Sequence, residues 1–278
     1  MDTITREKAL STLKKILDLS YTESESQLIL QSAWEHIASY PVGEHDRVYR
    51  QIKEDLLRCR PIQYITGKSY FSDFELYVAE GVLIPRPETD ELADWIIRDC
   101  QSIHQPTGIW DIGTGSGCIA IALKRKIRSA VVYASDISTE ALTIARYNAA
   151  KLGTEIHFFR DDILNDGPRS LPGMDIIVSN PPYILPEEIN DMEAHVSGHE
   201  PHLALFVRDD DPLQFYKAIE KTARRQLKNS GILYLELHSL YAAPAQLYFE
   251  QHQWRTTLRQ DMQGKARMLK CIFNNTSN

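Results

Sequence analysis

The sequence predicts an α/β protein: a doubly wound, mostly parallel sheet with a small N-terminal helical domain. Three observations carry this expectation. Residues 107–160 alternate short apolar runs with helical stripes, as βαβ units do. A turn with glycine at every second position, Asp111-Ile112-Gly113-Thr114-Gly115-Ser116-Gly117, joins the first of those strands to its helix. Residues 2–60, by contrast, show only the period of helices.

The 278 residues leave room for one large domain, or for a catalytic domain with a small companion. A hydrophobic content of 43% and a mean hydropathy of −0.34 fit a soluble protein with ample core. No apolar run reaches the roughly 18 residues of a membrane span, and residues 1–15 are charged and amphipathic rather than signal-like. Cys59, Cys100, Cys118 and Cys271 lack zinc or disulfide spacing, which suits a reducing cytoplasm. The net charge of −7 argues against a broad basic face gripping extended nucleic acid, while allowing a local basic patch or a basic protein partner. A cytoplasmic monomer is expected.

The first domain, residues 1–60, carries three stripes: Ala9, Leu10, Leu13, Ile16 and Leu17; then Leu28, Ile29, Ala33, Trp34 and Ile37; then Val48, Ile52, Leu56 and Leu57. Helices this short need to pack on one another or on the rest of the chain. The domain is either scaffold or a dock for a macromolecular substrate. Residues 61–85, with Tyr64, Tyr70, Phe71, Phe74 and Leu76 broken by Gly67 and Ser72-Asp73, read as a β-hairpin linker. Residues 86–278 form the catalytic domain. The stretch Leu83-Ile84-Pro85-Arg86-Pro87-Glu88-Thr89-Asp90 is a stiff approach lying across the mouth of the site, and Thr89 or Asp90 caps the helix that follows. Strands are expected at 108–112, 130–134, 156–159, 174–179, 231–237, near 254–258 and at 268–273. Helices fall at 118–126, 139–152 and 212–227, the last with Asp211 as N-cap and Pro212 at its first position. Asp209-Asp210-Asp211 reads as a solvated loop, and the polar tail 274–278 as frayed.

The candidate site centres on Asn180-Pro181-Pro182-Tyr183, which ends the apolar run Met174–Ser179. Two consecutive prolines cannot continue a central sheet, so the chain leaves it at Asn180, at the carboxyl edge where open α/β sheets bind ligands. An Asn oxygen and a Pro carbonyl can both accept from one NH2 group, and a Tyr ring can pack on a planar conjugated nitrogen compound. That combination suits an amide or an exocyclic base amine; the plain alternative is a stiff, capped turn.

Upstream, Cys118 replaces the third glycine of a dinucleotide fingerprint, which disfavours NAD or FAD. Asp111, ahead of the glycines, can order the turn and attract a cationic amino-acid end. Asp136, closing the second strand, can accept from both ribose hydroxyls. Asp162 offers an acceptor for an adenine amine and Ile163 an apolar contact for its ring. Ribose, adenine and a cationic amino-acid tail together describe S-adenosylmethionine. Cofactor contacts are thus expected at Asp111, Gly113, Thr114, Gly115, Ser116, Gly117, Asp136, Asp162, Ile163 and Asn180. No metal is expected, since His195, His199, Glu200 and His202 lie in a loop.

With these motifs in hand, the chain resembles class I S-adenosylmethionine-dependent methyltransferases, and among them the peptide chain release factor glutamine methyltransferases. The likeness runs essentially the whole length, through Pro61-Ile62-Gln63-Tyr64-Ile65, Pro85-Arg86-Pro87-Glu88-Thr89, Asp111 to Gly117, Val178-Ser179-Asn180-Pro181-Pro182-Tyr183-Ile184 and Glu200-Pro201-His202. It departs at His199, just before the Glu-Pro pair, where the family carries an aromatic residue, and at Ile163, where an aromatic sometimes contacts adenine. The resemblance implies methylation of the side-chain amide nitrogen of the Gln in the release factor Gly-Gly-Gln motif. It implies Asn180, Pro181 and Tyr183 as catalytic residues, Asn180, Pro181, Pro182, Tyr183, Glu88 and Thr89 as substrate contacts, and a helical domain that helps bind the partner. Methylation of a ribosomal protein glutamine, or of adenine N6 in nucleic acid, remains the alternative.

Overall fold

The computed structural model describes residues 4–102, 108–165, 167–168, 171–208 and 211–273. The expectations for the tail 274–278 and for Asp209-Asp210 lie outside the described residues.

Three helices open the chain: α1 (Arg6–Leu17), α2 (Glu23–Ala38) and α3 (His45–Leu57). Thr5 caps α1 by accepting from Lys8 N, and Thr22 with Glu25 forms a reciprocal capping box at the start of α2. Ala9, Leu13, Leu17, Ala33, Ile37, Val48, Ile52 and Leu56 meet in one apolar cluster. Leu28 and Leu57, assigned above to the stripes, are instead exposed.

Residues 62–66 fold as a short helix, α4 (Ile62–Thr66), where a strand was expected. Tyr64 and Ile65 N–H groups both donate to the Pro61 carbonyl, and Gly67 at φ 69° ends the turn. Ile62 joins the helical core while the Tyr64 hydroxyl donates to Val82 O at 2.6 Å. The hairpin proper is β1 (Lys68–Phe71) with β2 (Phe74–Tyr77).

The helix α5 (Pro87–Ser102) starts two residues before the cap expected at Thr89. Pro87 can occupy its first turn because no N–H is needed there. Thr89 is therefore inside the helix, and its hydroxyl is released for a tertiary bond.

The sheet follows as β3 (Gly108–Ile112), α6 (Cys118–Lys126), β4 (Val131–Asp136), α7 (Thr139–Lys151), β5 (His157–Arg160) and β6 (Met174–Ser179). Two short helices, α8 (Ala194–Ser197) and α9 (His202–Leu205), sit in the loop after β6. The chain then runs through α10 (Gln214–Gln226), β7 (Leu227–Glu236), α11 (Ala242–Gln251), β8 (Trp254–Gln260) and β9 (Ala266–Phe273). α10 begins later than expected: Asp211 accepts from Leu213 N through its side chain, and Leu213 takes the cap position.

Strand order is β5-β4-β3-β6-β7-β9-β8, parallel except where β9 pairs antiparallel with β7 and β8. The order reverses between β3 and β6, the crevice where doubly wound sheets hold ligands. Alternate residues of the central strands feed two cores: Ile109, Ile176 and Val178 on one face, Trp110, Ile112 and Ile177 on the other. The sheet is thus covered on both faces, and only its carboxyl edge is left to do chemistry. No helix among the described residues is long and apolar enough to cross a membrane.

Candidate active site

A cavity of about 350 Å³ opens at the carboxyl ends of β3, β4 and β6. Residues 113–116, Asp136, Asp162, Ile163, Thr89 and 180–182 line it, so one site collects these residues from five parts of the chain. Glu88, Asp111, Gly117 and Tyr183 lie outside that lining.

The glycine turn is shaped by its neighbours. Gly113 and Thr114 N–H groups donate to Ser135 O, and Gly115 N donates to Asp136 Oδ2 at 2.9 Å. Gly113 and Gly115 adopt φ 73° and 54°, and a Cβ at either would point into open space. The backbone is thereby bare toward the cavity, as close approach of a ligand requires. Gly117 differs: a Cβ there would meet Ala145 Cβ and Ile121 Cδ1, both at 3.2 Å. This glycine packs α6 against α7 and lies outside the cavity lining.

Asp111 is wholly buried. Its Oδ2 accepts from Thr114 Oγ1 at 2.6 Å and from Ala120 N at 3.2 Å, while Oδ1 has no partner. Burial pushes this carboxyl up to about 7, against the pull of those two bonds. Asp111 thus orders the turn from behind, and direct contact with a ligand is not available to it.

Asp136 accepts Ser138 N on Oδ1 and Gly115 N on Oδ2, each at 2.9 Å. Burial raises its pKa, opposed by those backbone donors. Each oxygen retains a lone pair for a further donor such as a hydroxyl. Asp162 is tied to Leu164 N, to Asn165 Nδ2 and to Arg208 Nη1 at 3.1 Å. The neighbouring Asp161, which also lines the cavity, has a buried Oδ2 without a partner. Nothing in the pattern of the sequence set Asp161 apart from Asp162. The orphaned Asp161 acceptor and the bare turn at this edge fit a ligand rich in donors, as the expected cofactor is.

Asn180 stands at the end of β6. Its Nδ2 donates to Thr89 Oγ1 at 3.0 Å, and Thr89 Oγ1 donates to Glu236 Oε2 at 2.7 Å. The Tyr183 hydroxyl faces Glu236 Oε1 at 3.4 Å, and its ring leans on His238 with centroids 5.5 Å apart. Burial pushes Glu236 up to about 7, the Thr89 bond opposing. Nothing in the sequence singles out Glu236, which reads simply as a charged residue near the end of the apolar strand 231–237.

Arg86 lies on the rim and pairs through Nη2 with Glu200 Oε1 at 2.5 Å, while Glu200 Oε2 accepts from Ile84 N. The stiff approach and the loop after β6 are thereby clamped together at the mouth. His199 bonds the Arg58 carbonyl, His202 bonds Ser197 O and His195 faces Glu193. Among the described residues, no group of three or more His, Cys, Asp or Glu side chains converges in a way that could hold a metal ion.

Comparison with known proteins bears directly on this arrangement. Residues 88–196 match the family model described as methyltransferase small domain. A release factor glutamine methyltransferase of Flavobacterium psychrophilum is 42% identical over 82% of this chain and 79% of its own. The enzyme of that name from Bacteroides thetaiotaomicron is 44% identical over 77% of this chain and 76% of its own. The chain belongs to the release factor glutamine methyltransferase family. The family's fold recurs at low identity in a solved structure, the hMettl16 catalytic domain in complex with the MAT2A 3′UTR hairpin 6. That structure shares 16% identity at a TM-score of 0.55, over 73% of this chain and 77% of its own.

Proposed function

We propose that this chain transfers a methyl group from S-adenosylmethionine to the side-chain amide nitrogen of the Gln in the Gly-Gly-Gln motif of peptide chain release factors. The observation that carries the proposal is the Asn180 carboxamide: held through Nδ2 by Thr89, it keeps Oδ1 for a donor at the cavity wall. Relatives of the same name across most of the chain supply the substrate class.

The Asp136 oxygens would take the ribose hydroxyls, Asp161 or Asp162 the adenine amine, and Ile163 the ring, with residues 113–116 along the amino-acid end. When bound, the cofactor supplies an electrophilic methyl on a sulfonium. An amide nitrogen is a poor nucleophile because its lone pair is conjugated into the carbonyl. Asn180 Oδ1 and the Pro181 carbonyl each accept one N–H of the substrate, which aims the nitrogen and restricts its rotation; such positioning is worth several kcal/mol, up to about 7–11 in favourable cases. Positive charge develops on that nitrogen in the transition state, so the same two acceptors bind it more tightly there than in the ground state. Tyr183, anchored by its hydroxyl to Glu236, supports the site from outside the cavity lining. The methylated nitrogen loses its proton without a dedicated base. Residues 1–60 serve as the partner dock, joined through 61–85 to the catalytic residues 86–278.

The test is label transfer from the methyl-labelled cofactor to purified release factor, ribosomal proteins or nucleic acid, with the modified residue located by mass spectrometry. Label on the release factor glutamine is expected; label confined to another acceptor overturns the assignment. Asn180→Ala should lower kcat by about a hundredfold or more, as removal of a transition-state hydrogen-bonding group does, with cofactor affinity by calorimetry little changed.

A further inference from the structure

We propose that Glu236 is a positioning residue: acting through the Thr89 hydroxyl, it decides which way round the Asn180 carboxamide sits. The inference rests on the reading of Asn180 as acceptor of the substrate N–H.

Glu236 closes β7 with 1% exposure, and its two oxygens meet the Thr89 and Tyr183 hydroxyls. A hydroxyl has one proton and an ionised carboxylate has none. While Glu236 is charged, Thr89 must therefore donate to it, and Thr89 Oγ1 can only accept from Asn180. The carboxamide must then turn NH2 toward Thr89, which leaves Oδ1 for the substrate. A neutral group able to donate from position 236 reverses the order. Its N–H or O–H would take one Thr89 lone pair and free the Thr89 O–H to donate to Asn180 Oδ1, and the flipped amide would present NH2 to the NH2 of the substrate. Two donors would face each other, and each would lose its acceptor.

The groups around Glu236 come from several elements. Thr89 and Glu88 lie on α5, Tyr183 follows β6, Arg267 lies on β9 and Cys118 opens α6. Burial and the Glu88 charge disfavour the ionised form, while the Thr89 bond, Arg267 and the Tyr183 bond favour it. Arg267 itself faces Asp261 at 3.5 Å. With the carboxyl near 7, the chain of bonds runs in its working order above that pH and is lost as the pH falls through it.

The experiment uses the full chain with release factor as acceptor and compares Glu236→Gln, Thr89→Val and Thr89→Ser. Glu236→Gln and Thr89→Val should each lower kcat by about tenfold or more, the loss that follows from one unmatched buried donor. Cofactor Kd by calorimetry should stay within about twofold, because the contacts proposed at Asp136, Asp161, Asp162, Ile163 and residues 113–116 are left in place. Thr89→Ser, which keeps the hydroxyl, should recover most of the rate that Thr89→Val loses. The fall in kcat below pH 7 should vanish in Glu236→Gln. A Glu236→Gln enzyme with wild-type kcat overturns the proposal, and so does Thr89→Ser as impaired as Thr89→Val. Should Glu236→Gln fail to fold, the Val and Ser pair decides. Should the wild-type chain methylate no glutamine, the functional reading fails by itself. The positioning role is then judged on the side-chain 15N–1H signals of Asn180, assigned with Asn180→Asp. A shift of those signals in Glu236→Gln supports it, and unchanged signals overturn it.

Discussion

Burial raises several carboxyls of the described residues above their ordinary values, and Asp111 shows the consequence most cleanly. Its carboxyl is raised by burial to about 7, against an ordinary value of 3.8. A carboxyl raised on folding favours the folded state fully below the unfolded pKa, and that contribution is lost as the pH rises through the folded one. The window for Asp111 is therefore about pH 4 to 7, worth a few kcal/mol across it. Asn at this position can keep its carbonyl on Thr114 and Ala120, with its NH2 where Oδ1 has no donor, and it does not titrate. The Tm of Asp111→Asn should thus gain on wild type by several degrees between pH 5 and pH 8 in the cofactor-free protein. Glu236 contributes with the same sign to both proteins and cancels in the comparison. Parallel Tm-against-pH curves would remove the buried proton from the account. Asp136 answers to a different measurement: Asp136→Ala removes the acceptor for Gly115 and Ser138 as well as the hydroxyl site, so cofactor affinity should fall by about tenfold or more. Unchanged calorimetric Kd would take Asp136 out of the ribose site.

At the scale of elements, the turn between β3 and α6 separates two jobs that its glycines share in sequence. Gly117 lies where α6 packs on α7, and an added methyl group would sit 3.2 Å from both Ala145 Cβ and Ile121 Cδ1. Gly117→Ala should cost about 1–3 kcal/mol in urea unfolding, from overpacking and from a strained φ of 86°. Cofactor affinity of the folded fraction should be nearly unchanged. Gly113→Ala meets no neighbour but places its methyl in the cavity. It should lose cofactor affinity by about tenfold, with only the smaller stability cost of a left-handed residue, about 1–2 kcal/mol. Equal losses of binding in both variants would contradict the division. The spacing Gly-x-Gly-x-Gly was legible as a ligand turn; which glycine served which purpose was not, because Ala145 and Ile121 decide it in space. The same holds for α5. Two prolines around Arg86 read as an extended approach, yet Pro87 opens the helix and brings Thr89 inside it. The helix stripes and the βαβ alternation were legible because burial imposes a local period on the chain. The bond from Asn180 to Thr89 spans 91 residues and that from Thr89 to Glu236 spans 147, and no local period records such a meeting.

On the scale of the whole molecule, the helical segment and the catalytic sheet meet at the loop after β6, which also lines the cavity through residues 201–204. That loop is fixed at its base by Ile184, whose N–H donates to Leu205 O and whose carbonyl accepts from Val207 N. At the mouth, Glu200 pins it to Arg86 and Ile84. Its outer part leans on the helices: the His195 ring stacks on Tyr21 with centroids 5.2 Å apart, and His199 bonds the Arg58 carbonyl at 2.8 Å. His199 thereby supplies a polar link to the end of α3. A partner docked on residues 1–60 would therefore press on the element that shapes the site. Removing both links in Tyr21→Ala/His199→Ala should free residues 186–200 without touching the base of the loop or the Glu200 clamp. Amide exchange over that stretch should accelerate by about tenfold, as local opening with fewer tertiary contacts demands. kcat/KM for intact release factor should fall severalfold, while cofactor affinity, set by the turn at β3 and β4, stays put. Unaltered exchange across 186–200 would mean that the loop is held from the sheet alone, and that the helices do not shape the mouth they cover.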